Sequence, residues 1–138
     1  MSTQNNTLTP SAESAEIALR LMKAFIEAVN AQRWEQVEAL LAPTVIYRAP
    51  PHVVQFPGNV VARLRVERRM FPDLHLEIER SFASVDGAEG TSIVRWMGRR
   101  LPARVCLVFG VVDGRIDSIE SYGGLAKMFY DVGLLRPA

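Results

Sequence analysis

Five side chains in this 138-residue chain have the chemistry to act on a small molecule and positions from which a folded pocket is reachable. Tyr47 can donate a hydrogen bond to a carbonyl oxygen, and Arg95 can polarise the same oxygen with its charge. Glu120, Asp117 and His52 are the groups that could carry a proton to or from a neighbouring carbon. Such work needs an acid whose pKa is shifted by burial and a donor aimed at the developing oxyanion. Arg95 is the most telling of the five because it stands between Val94 and Trp96. An arginine there must be ion-paired or face a ligand, and Asp117 on another strand is the partner expected if it is paired. Glu120 turns inward only if the last strand carries a bulge. His52 follows Pro50-Pro51, in a loop placed to rim a pocket.

The strands that position these groups assign the rest of the lining. Along a strand alternate side chains share a face, so Tyr47, Ala49, Ile93, Arg95, Met97, Asp117, Ile119 and Ser121 form one set. Expected substrate contacts are Trp96, Met97, Ile93, Ala49, Ile119 and Ser121. Other polar residues have plainer readings. His75 alternates with Glu77 and Glu79 on a solvated sheet face. Asp73 braces a turn, and Cys106 fills a core strand. Arg63, Arg65, Arg68 and Arg69, interrupted by Glu67, read as a solvated helix face, with an anionic ligand as the minor reading.

Composition excludes several classes. Sixteen Lys+Arg against fifteen Asp+Glu leave a net charge of +1, so no nucleic-acid partner is expected. One cysteine forbids an intramolecular disulfide, and two histidines leave few ligands for a metal. No glycine-rich phosphate loop follows a strand, so no cofactor is expected. The run from Val105 to Val112 falls well short of the ~20 apolar residues that span a bilayer, and no membrane partner is expected. The first dozen residues lack a basic and an apolar signal region, which points to a cytoplasmic protein. Residues 1–11 read as a flexible tail, and 12–138 as one domain.

Helical spacing begins at Glu13, with Ile17, Leu21, Ala24 and Ala28 on one stripe widened by Met22, Phe25, Ile26 and Val29, and Asn30 is expected to end the helix in a left-handed cap. A short helix carries Trp34, Val37, Leu40 and Leu41 and is closed by Pro43. Thr44–Ala49 reads as a strand, 52–58 as loop, and Asn59–Phe71 as a third helix. Period-two alternation then marks strands over Leu74–Val85, Thr91–Met97, Ala103–Val112 and Arg115–Tyr122. Asp113-Gly114 signals a hairpin. Leu125–Val132 reads as a last helical turn or two, capped by Gly133. Helices first and antiparallel strands after make the fold α+β. The stretch Val105–Phe109 is apolar on both faces, and a second copy of the chain is expected over the outer one.

The order helix, helix, strand, helix and four-strand meander resembles the nuclear transport factor 2-like superfamily. Its fold is a cone-shaped α+β barrel of cystatin-like type, with helices packed on a curved, mostly antiparallel sheet. Phe71-Pro72-Asp73-Leu74, Val94-Arg95-Trp96, Asp113-Gly114-Arg115-Ile116 and the ending Leu134-Leu135 resemble its SnoaL-like branch, over residues 13–136. Gly98-Arg99-Arg100 replaces a longer connection usual in that branch. The acids of the relatives are missing. Ser121–Ala126 holds no cyclase-type aspartate. The ketosteroid isomerase-like positions fall within Tyr47–Ala49 and Ala103–Val112, where the only charges are Arg48 and Arg104. The limonene epoxide hydrolase-like pattern keeps Tyr47 and Arg95 but loses its asparagine and both acids, so epoxide hydrolysis is not expected. The resemblance implies a cofactor-independent cyclase or isomerase for a polyketide-like or polycyclic small molecule in an apolar pocket. The alternative is a non-catalytic binding or accessory protein of the same fold that has lost the acids.

Overall fold

The computed structural model describes residues 10–49, 52–97 and 103–123. Helix α1 (Pro10–Asn30) starts three residues ahead of its expected origin, with proline tolerated in the first turn. Its buried face is Ala18, Met22, Phe25, Ile26, Ala28 and Val29, so the residues expected to widen the stripe are its centre, while Ile17 is 40% exposed. Asn30 stays helical, and it is Gln32 that takes the positive φ of 56°. Asn30 has another task. Its Oδ1 accepts from the Leu76 N–H and its Nδ2 donates to the Leu76 carbonyl, both at 2.8 Å.

Helix α2 (Trp34–Leu40) runs directly into β1 (Leu41–Ala49), so Leu41 and Pro43 belong to a strand instead of closing the helix. The ladder shifts between Leu41 and Ile46, and a proline is accommodated in such an irregular stretch. The expected loop at 52–58 is in part a strand. His52–Gln55 is β2, pairing antiparallel with β1 from Ala49↔His52 to Ile46↔Gln55. Helix α3 (Pro57–Met70) follows, then β3 (His75–Ala83), β4 (Glu89–Met97), β5 (Ala103–Val112) and β6 (Arg115–Gly123). The β5–β6 hairpin turns on Asp113 and Gly114, both left-handed at φ 52° and 72°, as a two-residue type I′ turn requires.

The sheet order is β2-β1-β6-β5-β4-β3, with β1–β6 parallel and the other pairs antiparallel. It stays open, with β2 and β3 at its edges. Helix α1 packs on β3 and β4, while α3 packs on β1 and β2. The core lies between the two helices and the sheet, where Phe109, Ile116, Ile119 and Val45 are fully buried. Phe25 meets Phe109 edge-on at 5.6 Å, and Phe71 meets Trp96 likewise at 5.7 Å. Each such side chain contributes roughly 1.5–3 kcal/mol through burial.

Two bulges reset the alternation. In β3 the pairing moves from Ile78↔Val94 to Arg80↔Ile93, which leaves Glu79 extra. In β6 it moves from Val111↔Ile116 to Gly110↔Ser118, which leaves Asp117 extra. Gly110 makes the second bulge possible, since a Cβ there would collide with the Ser118 and Asp117 side chains. The expected helical turns at 125–132, the Gly98–Arg100 turn and the Leu134-Leu135 ending lie outside the described residues. Among the described residues no helix is long and apolar enough to cross a membrane.

Candidate functional site

Helices α1 and α3 stand off the inner face of the sheet far enough to leave a cavity of about 40 Å³. That is room for roughly three waters, or for one small apolar group if the walls move slightly. Apolar side chains dominate its lining, among them Phe25, Leu64, Trp96 and Leu107, and four polar residues reach it: Tyr47, Glu67, Arg68 and Ser121.

Helix α3 delivers the acid. Val60, Leu64, Glu67 and Phe71 recur at helical spacing and are all buried, so Glu67 occupies a position of the apolar stripe. Its exposure is 4%. Arg63, one turn earlier, brings its Nε to 3.5 Å from Glu67 Oε1, and that oxygen has no hydrogen-bond partner among the described residues. An ion pair at this length does not repay the loss of water. Burial therefore pushes the Glu67 carboxyl up to about 7, with Arg63 opposing the rise.

The donors face the same space. Tyr47 is buried on β1, and burial together with the Glu67 charge lifts its phenol well above the usual tyrosine value, against an opposing pull from Arg63. It is a proton-bearing donor across the neutral range. Ser121 on β6 is buried, and its Oγ has no partner among the described residues. Arg68 donates through Nη2 to the Asn30 carbonyl at 3.3 Å, while its Nε and Nη1 are buried without a partner among the described residues. Buried polar groups in folded proteins are nearly always hydrogen-bonded. A carboxyl, a hydroxyl and a guanidinium therefore stand with unmet hydrogen-bonding capacity around one apolar cavity.

Of the residues expected from the sequence, Tyr47, Trp96 and Ser121 line this cavity. Ala49 and Ile119 are buried in the adjoining core. Arg95 lies elsewhere. On β4 it is Ser92, Val94 and Trp96 that are buried, while Ile93, Arg95 and Met97 take the outer face. Arg95 pairs through Nε with Glu79 Oε1 at 3.4 Å, and Arg104 holds the other oxygen at 2.7 Å. A pair in water avoids the desolvation that an inward arginine would suffer, and Glu79 takes the place expected of Asp117. Asp117 itself is displaced by the β6 bulge, which carries alternation from Ile116 to Ile119 and Ser121. Glu120 faces outward and accepts a 2.6 Å hydrogen bond from the Tyr122 hydroxyl, which raises the phenol's pKa. Of His52 the structure describes the strand pairing only. Glu67 was legible only as an interruption of a basic run, although its spacing from Leu64 and Phe71 was the available signal. Among the described residues no three His, Cys, Asp or Glu side chains cluster as a metal site would.

The sequence matches the family model of the SnoaL-like domain over residues 22–119, and the chain belongs to that family. No curated protein matches it. Among solved structures it is similar to an LEH-like epoxide hydrolase of M. tuberculosis, at 26% identity and a TM-score of 0.64, covering 84% of this chain and 89% of that one. A protein of Kribbella flavida assigned as a ketosteroid isomerase shares 20% identity with a TM-score of 0.70, over 79% and 78% of the two chains. A protein of Sinorhizobium meliloti assigned as a polyketide cyclase shares 15% with a TM-score of 0.69, over 75% and 94%.

Proposed function

We propose that the protein is a cofactor-independent isomerase or cyclase that moves a proton beside the carbonyl of a small, largely apolar molecule. The observation that carries this reading is the Glu67 carboxyl, held near pKa 7 inside an apolar cavity that also presents Tyr47 and Ser121. A base poised at the working pH combines a useful ionised fraction with a strong pull on a C–H proton. In the reaction the Glu67 carboxylate takes the proton α to the carbonyl, and the C–H electron pair moves into the enolate. Tyr47, Ser121 and Arg68 donate to the enolate oxygen. Protonated Glu67 then returns its proton to another carbon of the conjugated system, and the acid is restored as a base. At about 40 Å³ the cavity is too small for a polycyclic skeleton, and a single ring enters only as its walls move apart. The isomerase- and cyclase-assigned neighbours accord with this chemistry. A second copy of the chain over the outer sheet face, where Phe82, Met97 and Tyr122 are exposed, is part of the proposal.

A test is the conversion of 3-cyclohexen-1-one to its conjugated isomer, followed by ultraviolet absorbance and by deuterium uptake from solvent. The reading expects turnover that rises through about pH 7 and is lost in Glu67→Gln. Equal turnover in wild type and Glu67→Gln would overturn it. The rival reading, a non-catalytic binding protein, draws on the lack of an acid within Tyr47–Ala49 and Ala103–Val112. It expects saturable binding of such ketones with no exchange dependent on Glu67.

A further inference from the structure

The arginines of α3 also wall a second, open cleft, of about 390 Å³, between the turn that joins α1 to α2 and the C-terminal half of α3. Gln32, Trp34, Arg65, Arg68, Arg69 and Pro72 line it, so three guanidinium groups face it and no carboxylate does. A neighbouring groove shares Gln32, Trp34 and Arg65, and there Arg33 adds a further cation against one acid, Glu35.

A helix C-terminus attracts cations, and this accounts for Arg68 and Arg69 standing in the last turn of α3. It does not account for Arg65 a turn earlier, outside that last turn. No salt bridge among the described residues involves Arg65, Arg68 or Arg69. Like charges at i, i+3 and i+4 repel one another, and an oxyanion between them relieves that repulsion while meeting the guanidinium fork. Trp34, half-buried, supplies a flat apolar wall beside the charges.

We propose that this cleft binds an organic oxyanion on a flat aromatic body, its carboxylate or phosphate between Arg65, Arg68 and Arg69 and its ring against Trp34. Arg68 lines the inner cavity as well, so one guanidinium separates the two spaces. The inference does not depend on the acid–base role of Glu67.

The probes are 2-naphthoate, 2-naphthyl phosphate, the neutral 2-naphthamide and inorganic phosphate, titrated calorimetrically and by the indole N–H resonance of Trp34. Arg65 and Arg69 are exposed and lie outside the inner cavity, so the variants are Arg65→Gln with Arg69→Gln, and Arg65→Lys with Arg69→Lys. One or both naphthyl anions should bind and shift the Trp34 resonance, and the tighter of the two identifies the anionic group. Affinity should fall at least about tenfold in the double glutamine variant, recover in part in the double lysine variant, and weaken with salt. Inorganic phosphate should bind more weakly than the naphthyl anion, for want of the ring. Failure of both naphthyl anions to bind the wild type would overturn the proposal. So would unchanged binding in the folded glutamine variant, loss of binding in the lysine variant equal to that in the glutamine one, or naphthamide binding as tightly as naphthoate.

Discussion

Replacing Glu67 by glutamine should alter how stability depends on pH, with a sign that the burial of the carboxyl dictates. Unfolded, Glu67 titrates near 4.5; folded, it titrates near 7. Between those values the folded protein holds a proton that the unfolded chain has released, so stability falls as pH rises. The stabilising contribution is fully present below about pH 4.5 and is lost as pH passes through about 7. The difference, 7 − 4.5 = 2.5, taken at about 1.4 kcal/mol per pH unit, amounts to about 3.5 kcal/mol. With only 4% of Glu67 exposed, solvent screening takes little from that figure. For a domain of this length it corresponds to roughly 10 °C in Tm. The assay is urea unfolding by tryptophan fluorescence from pH 4.5 to 8.5, wild type against Glu67→Gln. The stability of wild type relative to Glu67→Gln should fall by about 3.5 kcal/mol across the range. Asp86 acts in the opposite sense. The Ala88 N–H and Ser84 hydroxyl hold its carboxyl below the usual value, so its contribution is present above that range and lost as pH falls. It is common to both proteins and cancels. Parallel curves over the whole range would refute the reasoning, because the carboxyl would then be titrating as it does in water.

Ser121→Ala should leave stability unchanged or raise it by up to about 1 kcal/mol, since it removes a buried hydroxyl without a partner among the described residues; the same variant should lose turnover on the cyclohexenone. Asn30→Ala strips both hydrogen bonds from the Leu76 backbone and should cost about 2–3 kcal/mol in urea unfolding. Arg95→Met should leave turnover on the cyclohexenone intact, because Arg95 lies on the outer sheet face, away from the cavity. Light scattering at micromolar concentration should give twice the mass of one chain, and a single-chain mass would remove the homodimer from the proposal.

Much of the framework was legible because local rules act over a few residues. Asp113-Gly114 could hardly be anything but a hairpin turn, and the strands of the second half lie close to the stretches that alternation marks. The site was less legible, for three physical reasons. Alternation divides a strand into two sets without saying which is inside, so choosing the set with Arg95 put β4 in the wrong phase. The apolar pair Val94 and Trp96, both buried, outweighs one charge that can reach Glu79 in water. Bulges at Glu79 and Asp117 are long-range features of the ladder and leave no mark in the residues themselves. Glu67 was hidden by its neighbours, since Arg63, Arg65, Arg68 and Arg69 make the segment look solvated. A carboxyl on an apolar stripe is the more telling signal, and its position relative to Leu64 and Phe71 was there to be read.

The account rests on a carboxyl that keeps its proton to neutrality inside the cavity, and the most direct measurement is a 13C NMR titration of side-chain carboxyls in protein labelled at glutamate. One δ-carbon should titrate near 7, well above the ordinary glutamate value, and disappear from the spectrum of Glu67→Gln. A Glu67 resonance that titrates with the others would contradict the central claim.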